Sequence, residues 1–267
     1  MAMITVKRGT LEYLTSENIA VPHCFTTRLG GVSKGHLASM NIGVHRGDEA
    51  ENVRTNYTIL ADAIGFSPEK LVLTRQTHSA LVRAVTCADA AGLRHDAYPE
   101  SDGLITNDPG TALVVFTADC TPMLLHDPVT GAVGAVHAGW RGTAAGIAQK
   151  AVEAMARTYG AKPENICAAI GPNIAQCCFE TDGDVPQALE KALGDAALPY
   201  IRTCGNKYYV NLKEMNALFL KNAGVKNIAI STLCTACRQD LFWSHRKVGS
   251  LRGSQGAIIV CRGEGLD

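Results

Sequence analysis

The sequence predicts a single α/β domain with mixed β-sheets that spans residues 1–267. Two apolar runs, residues 113–116 and 132–136, have the length and the branched residues of buried strands. The second run leads through a glycine-rich turn into a segment with apolar residues at four-residue steps, the spacing of an amphipathic helix. A strand followed directly by a helix is typical of α/β folds.

Hydrophobic spacing and turn residues predict the remaining elements. Helices are expected over residues 49–64, 144–159 (with Thr143 as N-cap) and 185–193, and another from 212 (with Asn211 as N-cap) to Gly224. Strands are expected over residues 4–6, 12–13, 23–27, 71–73, 80–86, 101–106, 166–170, 208–210, 228–231 and 257–261. Residues 87–101 are small and polar, and we expect a loop there.

Composition limits the classes of function. The chain has 25 basic and 25 acidic residues, which favours neither nucleic acid nor an anionic membrane as a partner. No apolar run approaches the roughly 20 residues that span a bilayer, and no signal peptide is evident. The ten cysteines lack the spacing of a disulfide scaffold. We therefore expect a cytoplasmic enzyme with reduced thiols.

Three candidate metal ligands lie at or just after the ends of predicted strands: His78, Cys120 and His137. One cysteine and two histidines, without a fourth protein ligand, leave a coordination position open, as in catalytic zinc sites. The same donors also accept copper. Two alternatives stay open at this point, because Cys120 could be an ordinary buried thiol and His126 could replace either histidine.

Two further cysteine pairs attract attention. Cys234 and Cys237 form a C-x-x-C motif, which suggests a redox or zinc role. The chain has neither a second C-x-x-C motif nor a thioredoxin-like βαβ context to support such a role. For the adjacent pair Cys177 and Cys178, we expect packing rather than a disulfide.

Five arginines lie in or beside polar or glycine-rich segments: Arg28, Arg54, Arg75, Arg141 and Arg246. Guanidinium groups near glycine turns suit the recognition of phosphate or carboxylate. No P-loop, no G-x-G-x-x-G after a strand and no G-x-S-x-G occurs, which excludes three common enzyme classes.

Several motifs resemble those of the YfiH, or laccase-domain, family. The most specific are Ala-Asp-Cys-Thr-Pro at 118–122, His-Ala-Gly-Trp-Arg-Gly at 137–142 and Ile-Gly-Pro at 170–172. Further matches occur in the expected order at residues 27–33, 41–48, 76–78, 102–103, 234–235 and 244–246. The resemblance covers nearly the whole chain. Phe179 and His245 depart from it, since relatives often have Tyr at the first position and Tyr or Phe at the second.

The resemblance implies both a fold and a function. The fold would be an α/β domain of layered sheets flanked by helices, similar to a bacterial deamidating toxin. The metal ligands would be His78, Cys120 and His137. Members cleave adenosine, inosine, guanosine or methylthioadenosine with phosphate and deaminate adenosine, and some are described as copper-dependent phenol oxidases.

The leading hypothesis is a zinc-dependent purine nucleoside enzyme. Phosphorolysis needs cations to hold phosphate against the ribose, and Arg28, Arg54 and Arg246 are the candidates. Gln76 and Asp102 could orient the metal ligands. For deamination, a zinc-bound hydroxide would attack the purine carbon that carries the amine.

Two other hypotheses are weighed against it. A copper-dependent polyphenol oxidase would use the same site for phenols, but multicopper oxidases need many histidines in His-x-His pairs. This chain has eight histidines and no such pair. The third hypothesis is a metal-free cysteine hydrolase or deamidase, in which Cys120 is the nucleophile and His137 the base.

Overall fold

The computed structural model describes residues 2–93 and 98–262. Within these residues the strands are β1 (Met3–Arg8), β2 (Leu11–Ser16), β3 (His23–Thr26), β4 (Leu71–Val72), β5 (Val82–Ala84), β6 (Gly103–Thr106), β7 (Ala112–Thr117), β8 (Thr121–His126), β9 (Val133–Ala138), β10 (Cys167–Ile170), β11 (Glu180–Thr181), β12 (Ile201–Cys204), β13 (Lys207–Val210), β14 (Asn227–Ile230) and β15 (Gln255–Val260). The α-helices are α1 (Ala50–Ile64), α2 (Trp140–Ala144), α3 (Ile147–Tyr159), α4 (Asp184–Leu193), α5 (Leu212–Asn222) and α6 (His245–Val248).

The strands form two six-stranded sheets and one three-stranded sheet. The first sheet has the order β1-β2-β3-β15-β7-β4 and the second β14-β10-β8-β9-β6-β5. Both are mixed, because β4 runs parallel to β7, β5 to β6 and β10 to β14, while the other pairs are antiparallel. The third sheet, β11-β13-β12, is antiparallel and packs near α4.

The two large sheets pack face to face between outer layers of helices. Leu113 and Val115 of β7 meet Leu124 of β8 in the apolar core between the sheets. Val114 points the other way, into a second core with α1. Met123 packs with α3 on the far side of the second sheet. Strands buried on both faces read as continuous apolar runs, as 113–116 does. The predicted α/β class with layered mixed sheets is therefore confirmed.

All four predicted helices are present, as α1, α3, α4 and α5, and one predicted cap is wrong. α1 ends at Gly65 and α3 at Gly160, both in the left-handed region with φ of 88° and 70°. Asn211 caps α5, because its side chain accepts a hydrogen bond from the Glu214 N–H. Thr143 does not cap α3. It is buried inside α2, and its hydroxyl accepts a hydrogen bond from Asn216.

The second sheet has at its centre a strand, β8, that its sequence did not predict. β8 carries Pro122, and a proline without an N–H argues against a central strand. Pro122 is the second residue of β8, so the N–H is missing only near the start of the strand, and the Pro122 carbonyl still accepts a hydrogen bond from the Gly171 N–H at 2.9 Å. Cys120 therefore lies in a turn between two strands. β9 also extends beyond its predicted end and includes His137. Of the predicted loop 87–101, residues 94–97 lie outside the described residues.

None of the described helices is both long and apolar enough to cross a membrane.

A buried asparagine ties α1 to the segment that precedes it. The side-chain carbonyl of Asn56 accepts a hydrogen bond from the backbone N–H of Val32 at 2.8 Å. The side-chain NH₂ group of Asn56 donates hydrogen bonds to the backbone carbonyl of Asn41 at 2.7 Å and to the Ser33 hydroxyl at 2.9 Å. These bonds hold the glycine-containing loop at residues 31–42 against the helix.

We expect Asn56→Ala to lower the free energy of unfolding by about 3 kcal/mol, because it leaves several buried polar groups without partners. Chemical denaturation followed by circular dichroism measures this change. Thr58→Ala, at an exposed position on the same helix, is the matched control and should cost less than about 1 kcal/mol. Equal stability of the two variants would contradict this account of the loop.

Candidate metal centre and active-site cavity

Three separate elements bring His78, Cys120 and His137 together. Cys120 lies in the turn between β7 and β8, His137 is the penultimate residue of β9, and His78 follows β4. Because β8 and β9 pair with Pro122 opposite His137, the turn of Cys120 reaches the end of the strand that carries His137. One ligand atom from each side chain lies within 4.8 Å of the other two, and Cys120 Sγ is 3.8 Å from His78 Nε2.

Asp102 holds the backbone at His78 and the ring of His137 in place. Its carboxylate accepts hydrogen bonds from the backbone N–H groups of Thr77, His78 and Ser79, and from the Ser79 hydroxyl. It also contacts His137 Nδ1 at 2.8 Å. Burial would raise the pKa of Asp102, but the bonds from His137 and Ser79 outweigh it and hold that pKa well below its usual range. An ionised Asp102 makes Nδ1 the donor and leaves His137 Nε2 free to bind a metal.

The donor set and its surroundings fit a metal ion. Tetrahedral zinc bound to one thiolate and one imidazole separates the two donor atoms by about 3.5 Å, near the 3.8 Å between Cys120 and His78. Gly139 makes the approach possible. A Cβ there would lie 2.6 Å from His78 Cδ2 and 3.3 Å from Cys120 Sγ, so a larger residue would push the ligands apart.

Charge interactions favour a thiolate at Cys120. Burial alone would raise the pKa of this thiol, but the charge and hydrogen bond of His137, joined by His78, lower it to about 6. In turn, burial would lower the pKa of His137, but the Cys120 thiolate and Asp102 raise it. The thiolate is the form of cysteine that binds metal, and it is also the reactive form of a nucleophilic cysteine.

Asp119 supports the turn from its other side. This residue has a positive φ of 95°, which is uncommon outside glycine. Its carboxylate accepts bonds from the Thr235 hydroxyl at 2.6 Å, the Ser244 hydroxyl at 3.0 Å and the Arg246 backbone N–H at 2.7 Å. The unusual backbone of the turn is thus fixed by residues more than 100 positions away.

The three candidate ligands line a cavity of about 350 Å³. Its other walls include Tyr98 and Phe116, which are aromatic, and three arginines, Arg46, Arg75 and Arg252. The volume lies in the range of roughly 300–1,000 Å³ that is usual for small-molecule sites. A cavity with apolar walls, several cations and three metal-binding side chains suits a small anionic or polar substrate.

Two of the cavity arginines have no ion-pair partner within the described part of the chain. Arg75 pairs with Glu100, whereas Arg46 and Arg252 contact no carboxylate there. Burial, followed by the like charge of Arg46, lowers the pKa of Arg252 to about 10. Two half-buried guanidinium groups that repel each other mark a place where an anion would be stabilised.

The arginines predicted to bind phosphate lie elsewhere. Arg28 donates to the Ala38 and Gln239 carbonyls, so its guanidinium serves loop packing. Arg54 is exposed on α1 and pairs with Glu51. Arg246 donates to the carbonyls of Cys178 and Glu180. The structure does not bring these three residues to the cavity.

Sequence reasoning missed Arg46 and Arg252. Both precede a glycine, but many residues do, and 206 positions separate the two along the chain. Gln76 does line the cavity, but its amide is engaged with the backbone of Phe116, accepting from the N–H at 2.6 Å and donating to the carbonyl at 2.8 Å.

A second set of candidate metal ligands lies outside the cavity. The structure brings together the four cysteines that the sequence treated as two unrelated pairs: Cys177, Cys178, Cys234 and Cys237. Three of the four are at least partly exposed, and Cys234 is buried. The sequence predicted only packing for Cys177 and Cys178, and it did not predict that they lie beside Cys234 and Cys237.

Comparison with known proteins gives a consistent result. The family model described as "Multi-copper polyphenol oxidoreductase laccase" matches residues 22–262. "Purine nucleoside phosphorylase YlmD" of Geobacillus stearothermophilus is 40% identical over 245 residues, which are 90% of this chain and 89% of that protein. "Purine nucleoside phosphorylase" of Bacteroides thetaiotaomicron is 35% identical over 260 residues, 95% of this chain and 96% of that one. The crystal structure of the G. stearothermophilus YlmD matches with a TM-score of 0.91 and 36% identity over 98% of this chain and 100% of that one.

The lowered pKa of Cys120 predicts its reactivity in metal-free protein. After chelation, iodoacetamide should modify Cys120 with a midpoint near pH 6, against about 8.5 for an ordinary thiol, because the thiolate persists at lower pH. Peptide mass spectrometry over a pH series measures the rate at this residue.

Zinc-loaded protein and the His137→Gln variant are the controls for this alkylation experiment. Zinc should protect Cys120 from alkylation, and His137→Gln should move the midpoint towards the ordinary range. A midpoint near 8.5 in the parent protein would contradict the described electrostatics.

Proposed function

The chain belongs to the YfiH/YlmD family of purine nucleoside phosphorylases, as its motifs predict, and we propose that it catalyses zinc-dependent phosphorolysis of purine nucleosides. The proposed substrates are adenosine, inosine, guanosine and methylthioadenosine, together with inorganic phosphate. We also propose that residues 1–267 act as one catalytic domain and that the enzyme works in the cytoplasm, where thiol ligands stay reduced.

One observation carries the proposal: a single cavity contains both the three metal-binding side chains and two arginines that pair with no carboxylate among the described residues. Phosphorolysis requires an anion and a nucleoside to lie side by side. Arg46 and Arg252 supply the cations for the anion, and Tyr98 and Phe116 supply apolar surface for a purine.

The reaction can be derived from what these residues bind. Arg46 and Arg252 hold phosphate with one oxygen facing the anomeric carbon of the ribose. The phosphate oxygen forms a bond to that carbon as the bond to the purine nitrogen breaks, and the leaving purine takes up the proton that the hydrogen phosphate loses. The arginines offset the charge of the attacking phosphate inside a site that is partly shielded from water.

His78, Cys120 and His137 would hold the zinc ion, with Asp102 orienting His137. With three protein ligands and one open coordination position, such an ion would supply Lewis-acid chemistry in the cavity. Gln76 keeps the backbone of Phe116 in position beside the cavity. Gly139 leaves room for the ligands to converge.

Deamination of adenosine is a second proposed activity of the same site. It needs water in place of phosphate and a Lewis acid near the purine amine, and the open ligand set supplies the place for such an acid. Copper-dependent oxidation of phenols is the alternative that the name of the matching family model suggests. Among the described residues only one candidate ligand set contains histidine, whereas a multicopper centre needs several.

The test combines metal analysis with chromatography of the products. Wild-type protein with nucleoside and phosphate should release the free purine, and release should stop without phosphate. Cys120→Ala should lose about one zinc ion per chain and at least about 100-fold in rate, because it removes a ligand of the Lewis acid. Cys204→Ser, at an exposed cysteine in β12, is the matched control and should keep both.

Other outcomes would support the rival hypotheses. Turnover that survives chelation but not alkylation of Cys120 would replace the zinc mechanism with a cysteine nucleophile. Phenol oxidation by a copper-loaded protein without purine release would favour the oxidase. Inosine formed from adenosine without phosphate would establish deamination.

The arginine assignment has its own test. Arg252→Met should raise the KM for phosphate by about 10- to 100-fold, the loss expected for charge-assisted hydrogen bonds, and change the KM for nucleoside much less. Arg54→Met, on the exposed face of α1, should leave both constants unchanged. A rise in the phosphate KM with Arg54→Met, and none with Arg252→Met, would contradict this assignment and support Arg54, one of the three arginines expected from the sequence.

A further inference from the structure

Four cysteine sulfurs lie close together outside the cavity. Cys178 Sγ is 3.4 Å from Cys237 Sγ, and Cys177 Sγ is 3.7 Å from Cys237 Sγ and 3.8 Å from Cys178 Sγ. Cys234 Sγ completes the group, and all four sulfurs lie within 4.8 Å of one another. We call this group the four-cysteine cluster.

These separations match a tetrahedral metal centre. Zinc binds thiolate sulfur at about 2.3 Å, so four sulfurs at tetrahedral angles lie about 3.8 Å apart. The three separations among Cys177, Cys178 and Cys237 differ from that value by at most a few tenths of an ångström, and Cys234 Sγ lies within 4.8 Å of these sulfurs. We propose that the four-cysteine cluster is a structural zinc site, separate from the metal centre in the cavity.

The backbone around Cys234 suits a thiolate ligand. The Ala175 N–H donates to Cys234 Sγ at 3.3 Å, and the N–H groups of Ala236 and Cys237 also face this sulfur. A C-x-x-C turn that directs N–H groups at its first sulfur stabilises the negative charge of a metal-bound thiolate. The C-x-x-C motif and the adjacent pair thus each supply two ligands.

A buried lysine supplies positive charge next to the cluster. Lys213 is 5% exposed, and its ammonium donates to the carbonyls of Ser231 and Leu233, the latter next to Cys234 in sequence. It pairs with no carboxylate in the described part of the chain, although a buried charge needs compensation. Four thiolates around one zinc carry a net negative charge, which provides that compensation.

The cluster joins two segments that support the cavity. Asn173 and Cys234 form a β-bridge, and the Thr235 N–H donates to the Asn173 carbonyl at 3.0 Å. Thr235 lies inside the C-x-x-C motif, and its hydroxyl donates to Asp119, the neighbour of Cys120. Four protein ligands leave no open position, so this zinc has a structural role and fixes the support of the Cys120 turn.

Metal analysis of variants that each lack one of the two metal sites tests the proposal without relying on the proposed activity. Wild-type protein purified under reducing conditions should hold about two zinc ions per chain, one for each ligand set. Cys177→Ser/Cys237→Ser should lose about one ion and keep the one in the cavity, whereas Cys120→Ala should do the reverse. Cys87→Ser/Cys204→Ser, at two exposed cysteines outside both sets, should keep both ions.

Cobalt substitution gives a readout that does not depend on folding of the double variant. Cobalt-loaded Cys120→Ala should show the intense sulfur-to-metal charge transfer of a four-thiolate tetrahedral site. Absence of that spectrum would overturn the proposal, as would a wild-type protein with one zinc ion that Cys177→Ser/Cys237→Ser retains. Iron in place of zinc, or a disulfide within the cluster in freshly purified protein, would equally overturn it.

Discussion

The candidate site depends on one buried carboxylate, that of Asp102. This carboxylate accepts hydrogen bonds from three backbone N–H groups and one hydroxyl of residues 77–79. It also forms a hydrogen bond with Nδ1 of His137. The Asp102 carbonyl also accepts the His137 N–H at 2.7 Å. A single side chain therefore sets both the path of the His78 loop and the tautomer of His137. Without it, two of the three candidate ligands would lose their fixed orientation.

The packing of the two six-stranded sheets against each other explains why such a site can be held rigidly. β7, β8 and β9 have side chains buried on both faces, so their ends cannot shift without disturbing two cores. Cys120 and His137 lie where these strands end. The turn between β7 and β8 needs the positive φ of Asp119, and the bonds from Thr235 and Ser244 compensate for that strain.

The sequence predicts the centre of the site better than its walls. His78, Cys120 and His137 lie at or just after the ends of predicted strands, but this placement alone left a buried-thiol role for Cys120 and a ligand role for His126 open. The resemblance to the YfiH family singled out the three residues. β8 was missed because Pro122 is a local argument against a strand that tertiary pairing overrides. The arginines could not be ranked, because an arginine's role depends on what surrounds its guanidinium. Arg28 meets backbone carbonyls that lie far away in sequence, whereas Arg46 meets no carboxylate among the described residues.

The two proposed metal sites differ in the way that their roles require. The cavity set has three ligands and faces open space, which leaves a coordination position for substrate or water. The four-cysteine cluster would close the coordination sphere with protein alone. Because Thr235 lies between Cys234 and Cys237 and binds Asp119, the closed site would fix the loop that supports Cys120 in the open one. A rigid support of this kind keeps catalytic ligands in position, since small displacements of such groups are costly to the reaction.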